Sequence, residues 1–174
     1  LAGGSGTRVC PLSKKSLPKQ YLSLFGKRTL VQETVDRLGT LVPAEQVYTI
    51  STESQRALLQ AQLPQVKNHL FEPEGRNTAP CLMLTAAELI ARKTPPDTVL
   101  ICLPADHHIA DPESFRTSIK KAAAFASQND ALVTFGIEPN CPHTGYGYIE
   151  GGERAGDSQL KKVRRFVEKP SAEK

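Results

Sequence analysis

The chain has 174 residues, 39% hydrophobic and 23% charged, which supports one domain with its own core and excludes a disordered chain. Its net charge of +4 is uneven: residues 1–32 carry six Lys or Arg (Arg8, Lys14, Lys15, Lys19, Lys27, Arg28) and no acid, while the remainder holds sixteen basic and eighteen acidic residues. Aromatics are 6%, Trp is absent and no aromatic cluster accompanies the basic run, so a small anionic ligand fits better than a nucleic acid.

Leu1-Ala2 reads as the tail of a buried strand, so the chain is expected to begin in mid-element. A glycine loop then leads to an amphipathic helix over 29–38, with Leu30, Val31, Thr34, Val35 and Leu38 at helical spacing. A short strand is predicted at 47–50, a helix at 53–62 stopped by Pro64, and a strand at 69–71. The clearest helix covers 79–93: Asn77 or Thr78 can cap it, Pro80 suits its first turn, and Pro95-Pro96 end it. The apolar run 98–103 predicts a buried strand, Asp111-Pro112 opens a helix to about 127, and 132–137 predicts another buried strand. Segments 146–150 and 161–168 have strand character, with 151–158 as a hairpin loop between them.

This alternation predicts an α/β fold: a Rossmann-like, open, mostly parallel but mixed sheet with helices on both faces. The polar, glycine-rich segments each follow a predicted strand, and in such sheets the loops at the carboxyl ends of strands line the binding crevice. Cys81 and Cys102 lie in apolar stretches and read as core thiols; with no CxxC pair, the four cysteines argue against zinc and for a reducing, cytoplasmic setting. No run of eighteen apolar residues predicts a membrane span.

Gly3, Gly4 and Gly6 let backbone amides approach a ligand, and Arg8, Lys14, Lys15 and Lys19 follow with fixed positive charge. The segment is neither GxxxxGK[ST] nor the dinucleotide fingerprint, so the choice is a polyphosphate site or a plain turn. In PADHH, Asp106 follows a predicted buried strand, where a carboxylate is either a Mg²⁺ ligand or a turn cap. His107 and His108 read as structural groups or as supports behind the site. EPEGRNTAP (72–80) feeds a helix start, and Arg76, Asn77 and Thr78 are placed to meet a base or ribose. TGYGYIE exposes backbone at two glycines beside aromatic rings, which suits a sugar or an edge strand. In FVEKP, Glu168 and Lys169 can act together only if the strand twists or ends there, as Pro170 allows. Lys161, Lys162, Arg164 and Arg165 read as an exposed basic strand.

Together LAGGSGTRVCPLSKKSLPKQYL, EPEGRNTAPC, LPADHHI, TGYGYIE and FVEKP resemble the sugar-1-phosphate nucleotidyltransferases, in family order along the whole chain. PKQ, GRNTAP and PADH are similar to the branch that transfers guanylyl groups to mannose 1-phosphate. The resemblance implies that GMP passes from GTP to α-D-mannose 1-phosphate, giving GDP-mannose and pyrophosphate. It implies nucleotide binding by Gly3, Gly4, Gly6, Thr7, Arg8, Lys19, Arg76, Asn77 and Thr78, with Arg8 and Lys19 catalytic. It implies Mg²⁺ on Asp106, and sugar-phosphate binding by Gly145, Glu168 and Lys169. Residues 1–174 would then be the N-terminal part of a catalytic domain truncated at both ends. The family's further metal-binding aspartate, and any β-helix or isomerase region, would lie past Lys174, and a homodimer is compatible. Positions 9 and 10 are Val-Cys, where the family typically has Leu-Trp. Another nucleotide or sugar, or a non-catalytic GTP-binding regulatory subunit, remain as alternatives.

Overall fold

A computed structural model describes residues 1–4, 9–155 and 160–171. They form two compact units, residues 1–131 and 132–174, each described by itself below.

In the first unit, helix α1 (Leu30–Asp36) starts because Thr29 and Gln32 make a reciprocal capping box. It buries Leu30, Val31 and Thr34 and ends two residues short of the predicted boundary, where Gly39 takes φ +53°. Strands β1 (Tyr48–Thr52) and β2 (Asn68–Glu72) pair in parallel, Tyr48 against Asn68 through Thr52 against Glu72. Between them a short turn at Glu53–Gln55 precedes helix α2 (Arg56–Gln62). Leu59 and Leu63 are completely buried and form the core with Ala2, Tyr21 and Val31.

Leu1-Ala2 sits beside this pair as the sequence predicts. The Ala2 amide donates to the Ile50 carbonyl (2.7 Å). On the other side the Leu1 amino group donates to the Leu103 carbonyl (2.8 Å), and the Ala105 amide donates to the Leu1 carbonyl (3.0 Å). The lateral order is therefore β2, β1, residues 1–2, residues 103–105. The chain moves outward in one direction from residues 1–2 and later returns on their other flank. That is a switch point of a parallel sheet, and ligands bind outside the carboxyl ends of the strands there.

Helix α3 (Thr78–Ala91) packs on β1 and β2 and buries Cys81 and Thr85. Asn77 precedes it with φ 69° and makes no side-chain cap bond, contrary to the capping predicted. Helix α4 (Pro112–Gln128) is capped by the Asp111 carboxylate, which accepts from the Glu113 and Ser114 amides at 3.1 and 3.0 Å.

Two predicted buried strands are not strands. Residues 98–103 run beside an apolar cleft of about 790 Å³, with Leu100 and Cys102 exposed, so Cys102 is not a core thiol. Residues 132–137 form no ladder, and Leu132, Phe135 and Ile137 are exposed. An apolar run states that a segment gains by burial; a ladder needs a neighbouring backbone along its length. Residues 98–103 find one only at Leu103, against Leu1.

In the second unit, β3 (Gly147–Arg154) pairs antiparallel with β4 (Lys161–Glu168). β3 runs farther than predicted because register shifts around Gly151 let pairing continue to Arg154. The predicted loop is correspondingly shorter, and residues 156–159 lie outside those described. Arg164 and Arg165 are exposed as predicted, and both reach the Glu150 carboxylate, at 3.2 and 2.6 Å.

Candidate active site

Three loops converge at the carboxyl edge of the first sheet. A Cβ on Gly3 would stand 3.5 Å from Glu72 Oε2 and 3.9 Å from the Ser51 Cα. A Cβ on Gly75 would stand 3.5 Å from the Gly3 carbonyl and 3.4 Å from Thr52 Cγ2. Any larger residue at Gly3 or Gly75 would therefore fill the space between β1, β2 and the glycine segment. No described atom lies within 4 Å of a Cβ placed on Gly4. Gly6, Thr7 and Arg8, the other predicted phosphate contacts here, lie outside the described residues.

What holds the glycine segment is a buried amide. Gln20 Nε2 donates to the carbonyls of Ala2 (2.7 Å) and Gly4 (2.9 Å) and lies 3.1 Å from Gln55 Oε1. Ser51 Oγ adds a bond to the Ala2 carbonyl (3.2 Å) and stands 3.4 Å from the Tyr21 hydroxyl. Burial pushes the Tyr21 phenol above its ordinary range, partly offset by the Ser51 contact. These groups satisfy the carbonyls on the inner side of the turn.

Lys19 lies in the short turn Lys19–Tyr21, one residue before Gln20. Its Nζ is 3.5 Å from Asp106 Oδ2, with the two side chains 30% and 43% exposed. Asp106 follows Ala105, whose amide is tied to Leu1. The switch-point geometry thus brings together Lys19, Asp106 and the glycine segment. His107 Nε2 is 3.9 Å from Asp106 Oδ1. His108 turns away, its Nδ1 3.0 Å from Glu33 Oε2 and its ring stacked on Phe25 at 4.1 Å. Among the described residues no group of three or more His, Cys, Asp or Glu forms a metal cluster.

Beyond β2, Arg76 and Asn77 follow Gly75 and Thr78 opens α3; all three are exposed. Arg76 Nη2 is 2.7 Å from Glu74 Oε2, in an exposed pair. Glu72, the last residue of β2, is buried. The Cys81 thiol donates to Glu72 Oε2 at 3.0 Å, and burial, then this carboxylate, pushes its pKa up to about 11.

In the second unit the three sugar-phosphate candidates meet at one end of the hairpin. β4 stops at Glu168, and Lys169 takes φ 42°. That turn places Lys169 Nζ 3.5 Å from Glu168 Oε1, although adjacent residues of a continuing strand would point apart. The Lys169 amide donates to the Tyr146 carbonyl (3.0 Å), beside Gly145, whose own amide donates to His143 Nδ1 (3.1 Å). A Cβ on Gly147 would come within 2.6 Å of Glu168 Oε2.

Residue chemistry does not single out Gln20 or Gln55, and it marks Glu72 only as part of the charged EPEGRNTAP segment. Gln20 stands beside Lys19 in the sequence, a polar residue between a turn and the apolar Tyr21-Leu22. Gln55 carries no such local signal, and the partners of Gln55 and Glu72 lie in other segments.

The nucleotidyl transferase family model matches residues 1–174. The chain is 42% identical to a mannose-1-phosphate guanylyltransferase of Escherichia coli (strain K12), over 99% of this chain and 37% of the relative. It is 44% identical to a xanthan biosynthesis protein, XanB, of Xanthomonas campestris pv. campestris, over 98% of this chain and 36% of the relative. A crystal structure from Thermus thermophilus, described as a mannose-1-phosphate geranyltransferase, superposes with a TM-score of 0.88 at 36% identity, covering 99% of this chain and 49% of that one. The chain thus spans little more than a third of the length of these curated relatives. Matched by the family model along its whole length, and carrying its convergent loops at the sheet's switch point, the chain belongs to the nucleotidyl transferase family.

Proposed function

We propose that this chain carries the guanylyl-transfer site of a mannose-1-phosphate guanylyltransferase, passing GMP from GTP to α-D-mannose 1-phosphate and releasing pyrophosphate. The observation that carries this reading is the meeting of Lys19 and Asp106 (3.5 Å) at the sheet edge that bears Gly3 and Gly4. The names of the relatives supply the nucleotide and the sugar. XanB adds a link to polysaccharide biosynthesis.

An oxygen of the sugar phosphate attacks the α-phosphorus in line with departing pyrophosphate. A phosphate monoester is already anionic near neutral pH, so no strong general base is needed. The barrier is the approach of two anions: unit charges about 4 Å apart at an effective dielectric of about 20 repel by about 4 kcal/mol. Neutralisation and alignment therefore do most of the catalysis. Lys19 places its ammonium on the nucleotide phosphates, and Arg8 stabilises charge on the transferring and leaving phosphates. Arg76, Asn77 and Thr78 face the base and ribose, Lys169 draws in the attacking phosphate, and Glu168 accepts from sugar hydroxyls.

The residues present fit Mg²⁺. The metal takes one or two carboxylates with phosphate oxygens completing its shell, and Asp106 is a half-exposed carboxylate with no partner closer than Lys19 among its ion pairs. Held by Asp106, Mg²⁺ would supply further charge neutralisation across the nucleotide phosphates.

The test is to incubate the full-length protein with each of four nucleoside triphosphates and a set of hexose 1-phosphates. GTP with mannose 1-phosphate is expected to give GDP-mannose and pyrophosphate in equal amounts. Preference for another pair would reassign the substrates. GTP binding without pyrophosphate release would indicate a regulatory subunit.

A further inference from the structure

Arg37 is the C-terminal cap of α1 and only 6% exposed. Its Nη2 donates to Thr34 Oγ1 (2.8 Å) and its Nη1 to the His107 carbonyl (3.1 Å), while its guanidinium lies over the Phe115 ring, 5.2 Å from the centroid. Its Nε has no hydrogen-bond partner. No carboxylate among the described residues forms an ion pair with it. Burial lowers its pKa, offset in part by attraction to Glu33. A buried cation with no carboxylate in direct contact is a costly way to join a helix to a loop, and an apolar side chain would do that job without the desolvation. What an apolar side chain cannot do is donate to the His107 carbonyl, one residue past Asp106.

The remaining contacts around Asp106 act in the same sense. The Ala105 amide is tied to the Leu1 carbonyl on one side of Asp106. On the other, His108 is held by Glu33 at 3.0 Å and by stacking on Phe25. The Arg37 carbonyl itself accepts from Arg116 Nη1 (2.9 Å), which fixes α1 against the start of α4. Ala105 is fastened by the start of the chain, and His107 and His108 by Arg37 and Glu33 of α1, while the Asp106 carboxylate is left half-exposed beside Lys19.

We propose that Arg37 is a positioning residue for Asp106, acting through the His107 carbonyl; this rests on the guanylyl-transfer reading above. It holds the peptide so that the carboxylate faces the nucleotide phosphates and their Mg²⁺. Groups of this kind change metal affinity or activity by about 10–100-fold when removed.

The test uses the full-length enzyme and four forms: wild type, Arg37→Met, Asp106→Asn and the double variant. Arg37→Met is expected to speed hydrogen exchange at residues 105–109 while leaving exchange in α2 and α3 unchanged. It is also expected to raise the Mg²⁺ concentration for half-maximal activity by about 10–100-fold, and to have no further effect in the Asp106→Asn background. Unchanged exchange at 105–109 would overturn the clamp, and effects that simply multiply would overturn action through Asp106. If Arg37→Met does not fold, Thr34→Val, which removes the Nη2 acceptor, is read in the same way. A wild-type enzyme inactive with GTP and mannose 1-phosphate would sink the proposed function, while the exchange measurement still decides the clamp.

Discussion

Lys19 and Asp106 lie on loops that follow different positions of the sheet, and they bring an ammonium and a carboxylate to 3.5 Å at its carboxyl edge. Both side chains reach solvent, 30% and 43% exposed. Ion pairs of that kind add about 0–1 kcal/mol to stability. Their proximity is therefore better suited to sharing a ligand than to holding the fold.

Lys19→Ala should follow from that distinction. Its melting temperature should stay within a few degrees of wild type, while kcat falls by about a hundred- to a thousandfold, the usual loss for one charge-stabilising group. Thermal melts and steady-state rates on the full-length enzyme check both halves. A large fall in melting temperature with modest loss of rate would make the pair structural.

Gln20→Leu should do the reverse. The Gln20 amide is the shorter of two side-chain donors to each of the Ala2 and Gly4 carbonyls, with Ser51 Oγ (3.2 Å) and Gln55 Nε2 (3.4 Å) remaining without it. A lost hydrogen bond of this kind costs about 0.5–1.5 kcal/mol. The urea midpoint should drop accordingly, and KM for GTP should rise because the glycine segment loses its tether. An unchanged midpoint would show that water replaces the amide.

Cys81 gives a pH dependence. Its thiol, pushed up to about 11 by burial and the Glu72 carboxylate, holds its proton more tightly when folded than when unfolded. Its contribution to stability is full below the unfolded thiol's value of 9.0 and is lost as pH rises from there towards 11. Cys81→Ser keeps a donor to Glu72 but does not titrate in this range. The stability of wild type relative to Cys81→Ser should fall between about pH 9 and pH 11 and be constant below; a constant difference throughout would refute the assignment. At neutral pH, iodoacetamide should label exposed Cys10 and Cys141 well before Cys81.

Gly147→Ala tests the hairpin end. The added Cβ would come within 2.6 Å of Glu168 Oε2, and the flexible carboxylate can swing aside at little cost to the fold. KM for mannose 1-phosphate should rise with KM for GTP little changed, and Lys169→Ala should show the same split. A change confined to GTP would exchange the roles of the two ligands.

Much of this was legible in the chain. Asp111 with Pro112 and the apolar spacing of α1 are local signals, and they gave these helices to within a few residues. β1 and β2 came out one residue from prediction or closer at their starts. Residues 98–103 and 132–137 were misread because hydrophobicity reports a demand for burial without naming the neighbour that meets it. The candidate loops stand out because clustered glycines, fixed charges and prolines are unusual wherever they fall. Their grouping was not legible, since Gly75 meets Gly3, and Lys19 meets Asp106, only through the order of the strands.

The residue types alone pointed to an anionic ligand, with glycines for close approach and Arg8 and Lys19 for phosphate charge, while the metal role of Asp106 and the sugar-phosphate role of Glu168 and Lys169 are what the family resemblance implies. Tertiary structure decided what those residues stand on. It made Gln20 the support of the glycine segment, buried Glu72 against Cys81, and set Arg37 behind Asp106. The physical reason is that local sequence fixes backbone preference and side-chain chemistry, whereas hydrogen bonds between distant segments exist only after the sheet has placed them side by side.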